Sequence, residues 1–342
     1  MGPCVIGVDL GGTNVRACAY YEDGTPAGER ADNPSKGQSG TEAILGAIAQ
    51  TVRQAADSAA SKPEAVGIAV PGHIDGQRGV VVWAPNFGET RGGVFYNWEN
   101  VAIGEPLSKA TGLPFYCGND ANLAALGEYR FGSGRNEANC LVLLTIGTGI
   151  GGGVILRPVA LQGDVRGPAM LLGGNQGGAE LGHMILMHGG LDCNAGSYGA
   201  MEGYCQRDSI VRRAVHRLNR GRESLLRDMV DGDFSKVTPQ LISQAAEKGD
   251  EMAIEVWREV GTWLGVGIGS LINIFAPDVF AIGGQIARAG DFLLEPARKT
   301  ARNIAIPSLF KDAKIVQAEQ ISDAGILGGA ALALEAMKWK KA

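Results

Sequence analysis

Asp9-Leu10-Gly11-Gly12-Thr13 separates two apolar runs, Val5–Val8 and Val15–Tyr20, and its residue types suit a phosphate. Gly11 and Gly12 are expected to take positive φ and to bring backbone N–H groups close to an anion. Thr13 adds a hydroxyl donor, and Asp9 offers a carboxylate that could hold Mg²⁺ or orient water. A plain glycine turn in a sheet hairpin is the competing reading of this segment alone. A second grouping, Thr145-Ile-Gly147-Thr148-Gly149-Ile-Gly151, repeats the plan of apolar strand, Gly/Thr turn and apolar strand. The echo predicts two similar halves facing each other across a cleft. Gly147 to Gly152 also satisfies G-x-G-x-x-G, but Gly153-Val154-Ile155-Leu156 continues it as a strand. A dinucleotide turn must open a helix, so that reading is set aside.

Between the two turns lies Gly118-Asn119-Asp120-Ala121-Asn122, at a strand-to-helix junction. Asp120 could cap the helix. At the C-terminal end of a strand it could equally act as a base toward a hydroxyl attacking a phosphoryl group. The segment alone leaves both open. Glu180-Leu-Gly-His183 and Glu202 stand in glycine-rich, loop-like sequence. Two carboxylates and an imidazole can exchange hydrogen bonds with several sugar hydroxyls. A surface glutamate and a satisfied histidine are the plainer alternatives.

The elements that must position these groups follow from periodicity. The first hairpin leads to a helix over 41–60, with Ile44, Leu45, Ile48 and Val52 on one face, and then to a strand over 65–70 ending at Pro71-Gly72. Further helices are expected over 104–112 and 121–130, with a short strand over 113–117 between them. A second hairpin over 140–156 is followed by mainly helical sequence over 209–219 and 238–275. A strand over 279–282 runs into Gly283-Gly284, and a helix over 324–337 closes the chain. Strands alternating with helices make this an α/β protein.

The 342 residues suffice for two domains or one large one, with 45% hydrophobic and 20% charged residues. The 52 glycines are about twice the usual share and cluster in short motifs. A net charge of -5 disfavours nucleic acid as a main partner. The N-terminus enters a strand pattern at once, so no signal peptide is expected. The most apolar stretch, 141–156, is broken by threonines and glycines, which disfavours a membrane partner. Cys4, Cys18, Cys117 and Cys140 lie in apolar runs, the pattern of buried free thiols, so a cytoplasmic location is expected.

Asp9-Leu-Gly-Gly-Thr13-Asn14-x-Arg16, Pro71-Gly72, Asn119-Asp120-Ala121-Asn122, Gly147-Thr148-Gly149-x-Gly151-Gly152 and Glu180-x-Gly-His183 share order and spacing with one family. Together with Asp278-Val-Phe-Ala-Ile-Gly-Gly284 and Asp323-Ala-Gly-Ile-Leu-Gly-Gly329, the set resembles the ROK-family sugar kinases over nearly the whole chain. The resemblance implies a two-lobed actin-like ATPase (ribonuclease H-like) fold with a nucleotide/sugar cleft between the lobes. A small α/β domain over 1–118, completed by the C-terminal helix 324–342, and a large α/β domain over 119–323 are expected. It implies ATP-dependent hexose phosphorylation, most simply glucose to glucose 6-phosphate, as in glycolysis, with Asp120 as base. Asn119, Glu180, His183 and Glu202 would bind the sugar with Gly72. Asp9, Gly11, Gly12 and Thr13 would serve phosphates and Mg²⁺, with Thr145, Gly147, Thr148 and Gly149 opposite, and Gly283 and Gly284 would line the adenosine pocket. A homodimer is also implied.

Many relatives carry a zinc motif, C-x-C-G-x-x-G-C-x-E, completed by the histidine of E-x-G-H. Here alanines replace two of its three cysteines, at Ala195 and Ala200, leaving His183 and Cys193. Zinc is therefore not expected, and packing around Tyr198 and Met201 is expected to shape the loop instead. Segments 87–98 and 157–178 read as long loops near the sugar. Kinases for fructose, mannose or an N-acetylhexosamine remain alternatives, as does polyphosphate as donor. A non-catalytic sugar-binding regulator is the reading from another class. Its DNA-binding form would need an N-terminal helix-turn-helix extension, whereas the first strand begins by Cys4, so no nucleic acid is expected.

Overall fold

A computed structural model of the chain describes residues 2–157, 167–193 and 195–341. The chain begins with strands β1 (Cys4–Leu10), β2 (Asn14–Tyr21) and β3 (Ala31–Pro34), helix α1 (Thr41–Asp57) and strand β4 (Val66–Val70). Three strands follow, β5 (His73–Asp75), β6 (Val80–Arg91) and β7 (Val94–Ala102), then α2 (Gly104–Thr111), β8 (Phe115–Asn119) and α3 (Asp120–Phe131). The second hairpin is β9 (Cys140–Ile146) and β10 (Ile150–Leu156), followed by β11 (Ala169–Met170). Helices α4 (Met201–Cys205), α5 (Arg207–Asn219), α6 (Leu226–Met229), α7 (Pro239–Glu247) and α8 (Glu251–Phe275) come next. Then come β12 (Val279–Gly283), α9 (Asp291–Ile304), α10 (Pro307–Phe310), β13 (Lys314–Gln317) and α11 (Ala324–Lys341).

Packing divides the chain into two compact units. Unit 1 comprises Met1–Ala138, Gly153–Ala179 and Ser322–Ala342; unit 2 comprises Asn139–Gly152 and Glu180–Ile321. This differs from a division at 118/119. Helix α3 stays with unit 1 because it packs along α11, where a Cβ on Gly127 would lie 2.8 Å from the Gly328 nitrogen.

Unit 1 is built on a sheet of order β3-β2-β1-β4-β8. The hairpin β1–β2 is antiparallel, while β1–β4 and β4–β8 are parallel. Strand alternation sends Ile6, Val8 and Leu10 into a core with Ile44, Ile48, Ile68 and Leu107. Val5 on the opposite face joins Ile326, Leu327, Ala330 and Leu334 of α11. That helix lies so close to the sheet that a Cβ on Gly7 would sit 1.9 Å from the Ile326 carbonyl oxygen. One on Gly67 would sit 1.9 Å from that of Gly329.

Segment 87–98, expected as a loop, is instead the heart of a β-ribbon of order β5-β6-β7. Phe87 and Trp98 are buried with ring centroids 5.5 Å apart, and Trp98 Nε1 donates to Thr41 Oγ1 at 3.0 Å. Gly92 and Gly93, both at positive φ, turn the chain between the strands. Of segment 157–178, residues 158–166 lie outside the described residues. Its far end forms β11, antiparallel to β10 at Ile155 and Leu156.

Unit 2 carries the start of β10 beside β9, with β12 and β13 continuing the sheet in parallel. Helix α8 is capped by Asp250, whose Oδ1 accepts from the Ala253 N–H at 2.8 Å. The small face at Gly261, Gly265 and Gly269 admits α9, since a Cβ at each would meet Pro296, Thr300 or Ile304 within 2.6 Å. All six cysteines are free and buried. No described helix is long and apolar enough to cross a membrane.

Candidate active site

In unit 1 the site begins where β1, β4 and β8 end side by side. Asp9 is paired with Arg16 across the hairpin and with Ala69 of β4. The turn after it is held from behind: Ser35 Oγ donates to the Gly12 carbonyl at 2.9 Å, and the Ser35 N–H to that of Thr13 at 2.8 Å. Neither Gly11 nor Gly12 takes positive φ, so the expected reason for glycine there is corrected. Gly12 instead faces open space, with nothing within 4 Å of a Cβ placed on it, and an anion can approach its backbone unhindered. Nothing in the sequence marked Ser35 as the support of this turn, because it lies on a different segment.

Asn119, not Asp120, is the helix cap: its Oδ1 accepts from the Asn122 N–H at 3.0 Å. The Asn119 Nδ2 donates to the Gly72 carbonyl at 2.9 Å, tying the Pro71-Gly72 turn to α3. Gly72 sits at φ 99°, where a Cβ would also fall 2.2 Å from the Trp83 carbonyl oxygen, so only glycine fits. Freed from capping, Asp120 stands at the first helical position and Oδ1 accepts from the Ala121 N–H at 2.8 Å.

Both carboxylates are poorly solvated. Burial raises the Asp120 pKa against the opposing hydrogen bonds from Ala121 and Asn119. Asp9 is pushed up to about 6, first by burial, then by the charge of Asp120, with Asp323 adding to it and Arg16 opposing. Because the folded value lies above the unfolded 3.8, Asp9 contributes stability that is full below pH 4 and lost as pH rises through 6. Asp9→Asn should therefore stabilise the metal-free chain at pH 8 by up to about 3 kcal/mol and leave it nearly unchanged at pH 4. Urea midpoints at the two pH values check this; an equal shift at both would contradict it. A crowded pair of acids is also a donor set that fits a hard divalent cation.

In unit 2, the turn between β9 and β10 has Thr145 at the end of its strand, and the Gly147 N–H donates to the Gly149 carbonyl at 2.9 Å. The Arg207 N–H donates to the Gly147 carbonyl at 2.9 Å, and Thr148 shares a cavity wall with Gly147. Glu202 is buried against this turn: Oε2 accepts from the Ile150 N–H at 2.8 Å. A Cβ on Gly149 would lie 2.5 Å from that oxygen, which explains glycine there. This link between Glu202 and the turn was not visible in the motifs.

His183 Nε2 lies 3.9 Å from Glu180 Oε2, and His183 Nδ1 is buried without a hydrogen-bond partner. Glu180, His183 and Glu202 thus offer carboxylate acceptors and an imidazole in one unit, the chemistry of hydroxyl recognition. Gly283 and Gly284 are packed instead of open: a Cβ on Gly284 would meet the Ile146 carbonyl at 2.3 Å, and one on Gly283 the Ala318 side chain at 3.4 Å. Their neighbours Gln285 and Ile286 line a cavity.

His183, Cys193 and Glu202 place one ligand atom each within 4.8 Å of one another. They do not fit a structural zinc, which wants four nitrogen or sulfur ligands. Cys193 Sγ is already 3.1 Å from Ser197 Oγ, Cys205 Sγ turns to the Val260 carbonyl, and His188 is exposed. Met201 is fully buried as expected, but Tyr198 is 61% exposed and packs little. The tyrosine that holds the loop is Tyr204, which stacks on Trp263 with centroids 4.2 Å apart and accepts from the Leu191 N–H at 3.0 Å. Tag-free protein should carry well under one zinc per chain, and a chelator should leave its Tm unchanged. Stoichiometric zinc in elemental analysis would contradict this.

The model of a family described as the ROK family matches residues 5–336. A glucokinase of Streptomyces coelicolor is 34% identical over 334 residues, which span 96% of this chain and 97% of that protein. The structure of a ROK family glucokinase from Streptomyces griseus in complex with glucose and AMPPNP aligns with a TM-score of 0.77 at 32% identity. It covers 97% of this chain and 99% of its own. A xylose repressor of Caldicellulosiruptor bescii is 27% identical over 336 residues, 97% of this chain and 78% of the repressor. The fold is thus that of the ROK glucokinases, in the actin-like ATPase class.

Proposed function

The chain belongs to the ROK family, and on that premise we propose that it transfers the γ-phosphoryl group of ATP to a hexose, most simply glucose. The observation that carries this reading is the release of Asp120 from capping by Asn119, which leaves a desolvated carboxylate at the end of β8. In the reaction the sugar hydroxyl oxygen bonds to the γ-phosphorus, and the bond from that phosphorus to the β–γ bridging oxygen breaks. The hydroxyl proton passes to Asp120, and ADP leaves. Partial burial makes the carboxylate more basic than an exposed aspartate.

Asn119 holds the base in place through the cap, and the same side chain fixes Gly72, whose backbone would face the sugar. Glu180, His183 and Glu202 would read the sugar hydroxyls, His183 through the ring nitrogen that has no protein partner. Glu202 also braces the turn at Gly149 and Ile150, so sugar recognition and phosphate placement share a residue in unit 2. The open backbone at Gly12 and the Thr13 hydroxyl would meet phosphate oxygens. Mg²⁺, held at Asp9 with the ATP phosphates, would neutralise charge developing on the transferred group.

Similarity to a xylose repressor keeps a sugar-binding regulator as the second reading. The two separate on turnover: a hexose panel with ATP should give a hexose phosphate from at least one sugar. Binding of a sugar with no phosphorylation of any would favour the regulator. The same panel ranks glucose against fructose, mannose and N-acetylhexosamines.

A further inference from the structure

The β-ribbon of unit 1 carries a row of side chains that the site described above does not use. Strand register pairs His73 of β5 with Trp83 of β6, and Trp83 with Glu99 of β7. Directly opposed residues of antiparallel strands share a face, so an imidazole, an indole and a carboxylate stand side by side. Ile74, Val81, Ala84 and Trp98 of the same strands are buried in the core. Trp83, by contrast, is 45% exposed, and Glu99 is exposed. A lone exposed indole is ordinary on a protein surface. This one stands on a ribbon anchored by the buried Phe87–Trp98 pair, between two groups that can accept hydrogen bonds. The row spans about 10 Å, two strand spacings.

The row is continuous with the end of unit 1 assigned to the sugar. His73 follows Gly72, whose carbonyl is held by Asn119, the neighbour of Asp120. A Cβ on Gly72 would lie 2.2 Å from the Trp83 carbonyl oxygen, so the two backbones are in contact. The register shifts between His73 and Ile74, the kind of bulge that re-aims side chains beside an active site. His73 Nε2 donates to the Asn175 carbonyl, which leaves Nδ1 as an acceptor in the neutral ring. An indole offers flat apolar surface to the C–H face of a pyranose, while Glu99 and His73 can accept from its hydroxyls.

We propose that the His73–Trp83–Glu99 row is an outer acceptor subsite for a second pyranose ring joined to the hexose, so that the chain also phosphorylates disaccharides of glucose. Trp83 stacks on that outer ring and Glu99 accepts from its hydroxyls. The reaction is the one written above: a disaccharide hydroxyl oxygen bonds to the γ-phosphorus, its proton passes to Asp120, and ADP leaves. The proposal rests on the kinase reading, since it extends the acceptor of that same reaction.

The test compares wild type, Trp83→Ala and Glu99→Ala in full-length protein, with glucose, cellobiose and maltose as acceptors. Wild type should convert at least one of the two disaccharides, with ADP matched mole for mole by disaccharide phosphate. Trp83→Ala should lower the ratio of disaccharide to glucose kcat/KM about two- to tenfold, the worth of one aromatic contact. Glu99→Ala, at an exposed position, should lower the same ratio and keeps the proposal testable should Trp83→Ala not fold. Titration of the disaccharide without ATP should change the intrinsic fluorescence of wild type, and Trp83→Ala should lose most of that change.

Phosphorylation of glucose with neither binding nor turnover of either disaccharide would overturn the outer subsite while leaving the kinase reading intact. Folded variants with a wild-type ratio and fluorescence response would overturn the role of the row. If no sugar is phosphorylated, the kinase reading fails, and the titration without ATP still decides whether a disaccharide binds at Trp83.

Discussion

Asp120→Asn should lower kcat for hexose phosphorylation by about 10²- to 10⁴-fold, the range a positioned general base contributes. The amide keeps the shape of the carboxylate and can still accept from the Ala121 N–H, so the fold should persist. Stability should rise at neutral pH, because removing the charge also relieves the repulsion with Asp9. Loss of turnover with a raised unfolding midpoint distinguishes a missing base from a damaged fold. In wild type, the acid limb of kcat/KM should fall above the ordinary carboxylate range, since burial raises Asp120 and Asp9 together. Steady-state kinetics beside thermal unfolding check both statements, and near-wild-type turnover in Asp120→Asn would remove it as the base.

Gly67→Ala should destabilise unit 1 by about 3 kcal/mol or more, at the upper end of overpacking effects. The added methyl would sit 1.9 Å from the Gly329 carbonyl oxygen and 3.1 Å from the Ala333 nitrogen, both backbone atoms of α11. No rotamer change relieves such a clash, so the helix must lift from β4 and expose Ile326, Ala330 and Leu334. Gly12→Ala is the matched control. It meets no atom within 4 Å and carries no positive φ, so stability should stay within about 0.5 kcal/mol while the KM for ATP rises. Denaturant unfolding of the two variants decides the matter; equal stability of Gly67→Ala and wild type would mean that α11 does not lie against β4.

The same two glycines show how far the sequence could be read. Gly12 sits in a recognisable turn between two apolar runs, and both hairpins, the strand-helix junction at Asp120 and the closing helix were legible from local periodicity. Gly67 looks like any small residue in a strand, because the backbone that demands it is distant in sequence. The sequence left Asp120 open between cap and base, and the cap at Asn119, one position earlier, depends on which side chain reaches the Asn122 N–H. Segment 87–98 carried its own signal, the Gly92-Gly93 pair between alternating residues, but its aromatics and polar residues read equally as a loop. Glu202 on the Ile150 N–H, Ser35 behind Gly12 and Tyr204 on the Leu191 N–H are long-range contacts, and no local spacing encodes them.

The most direct measurement is ADP release by the purified chain with Mg²⁺-ATP across a panel of hexoses, with Asp120→Asn run in parallel. ADP should appear only with a phosphorylatable hexose, matched mole for mole by hexose phosphate, and Asp120→Asn should lower the rate at least a hundredfold. Hexose-independent ADP release, no release with any hexose, or equal rates for wild type and Asp120→Asn would contradict the assignment.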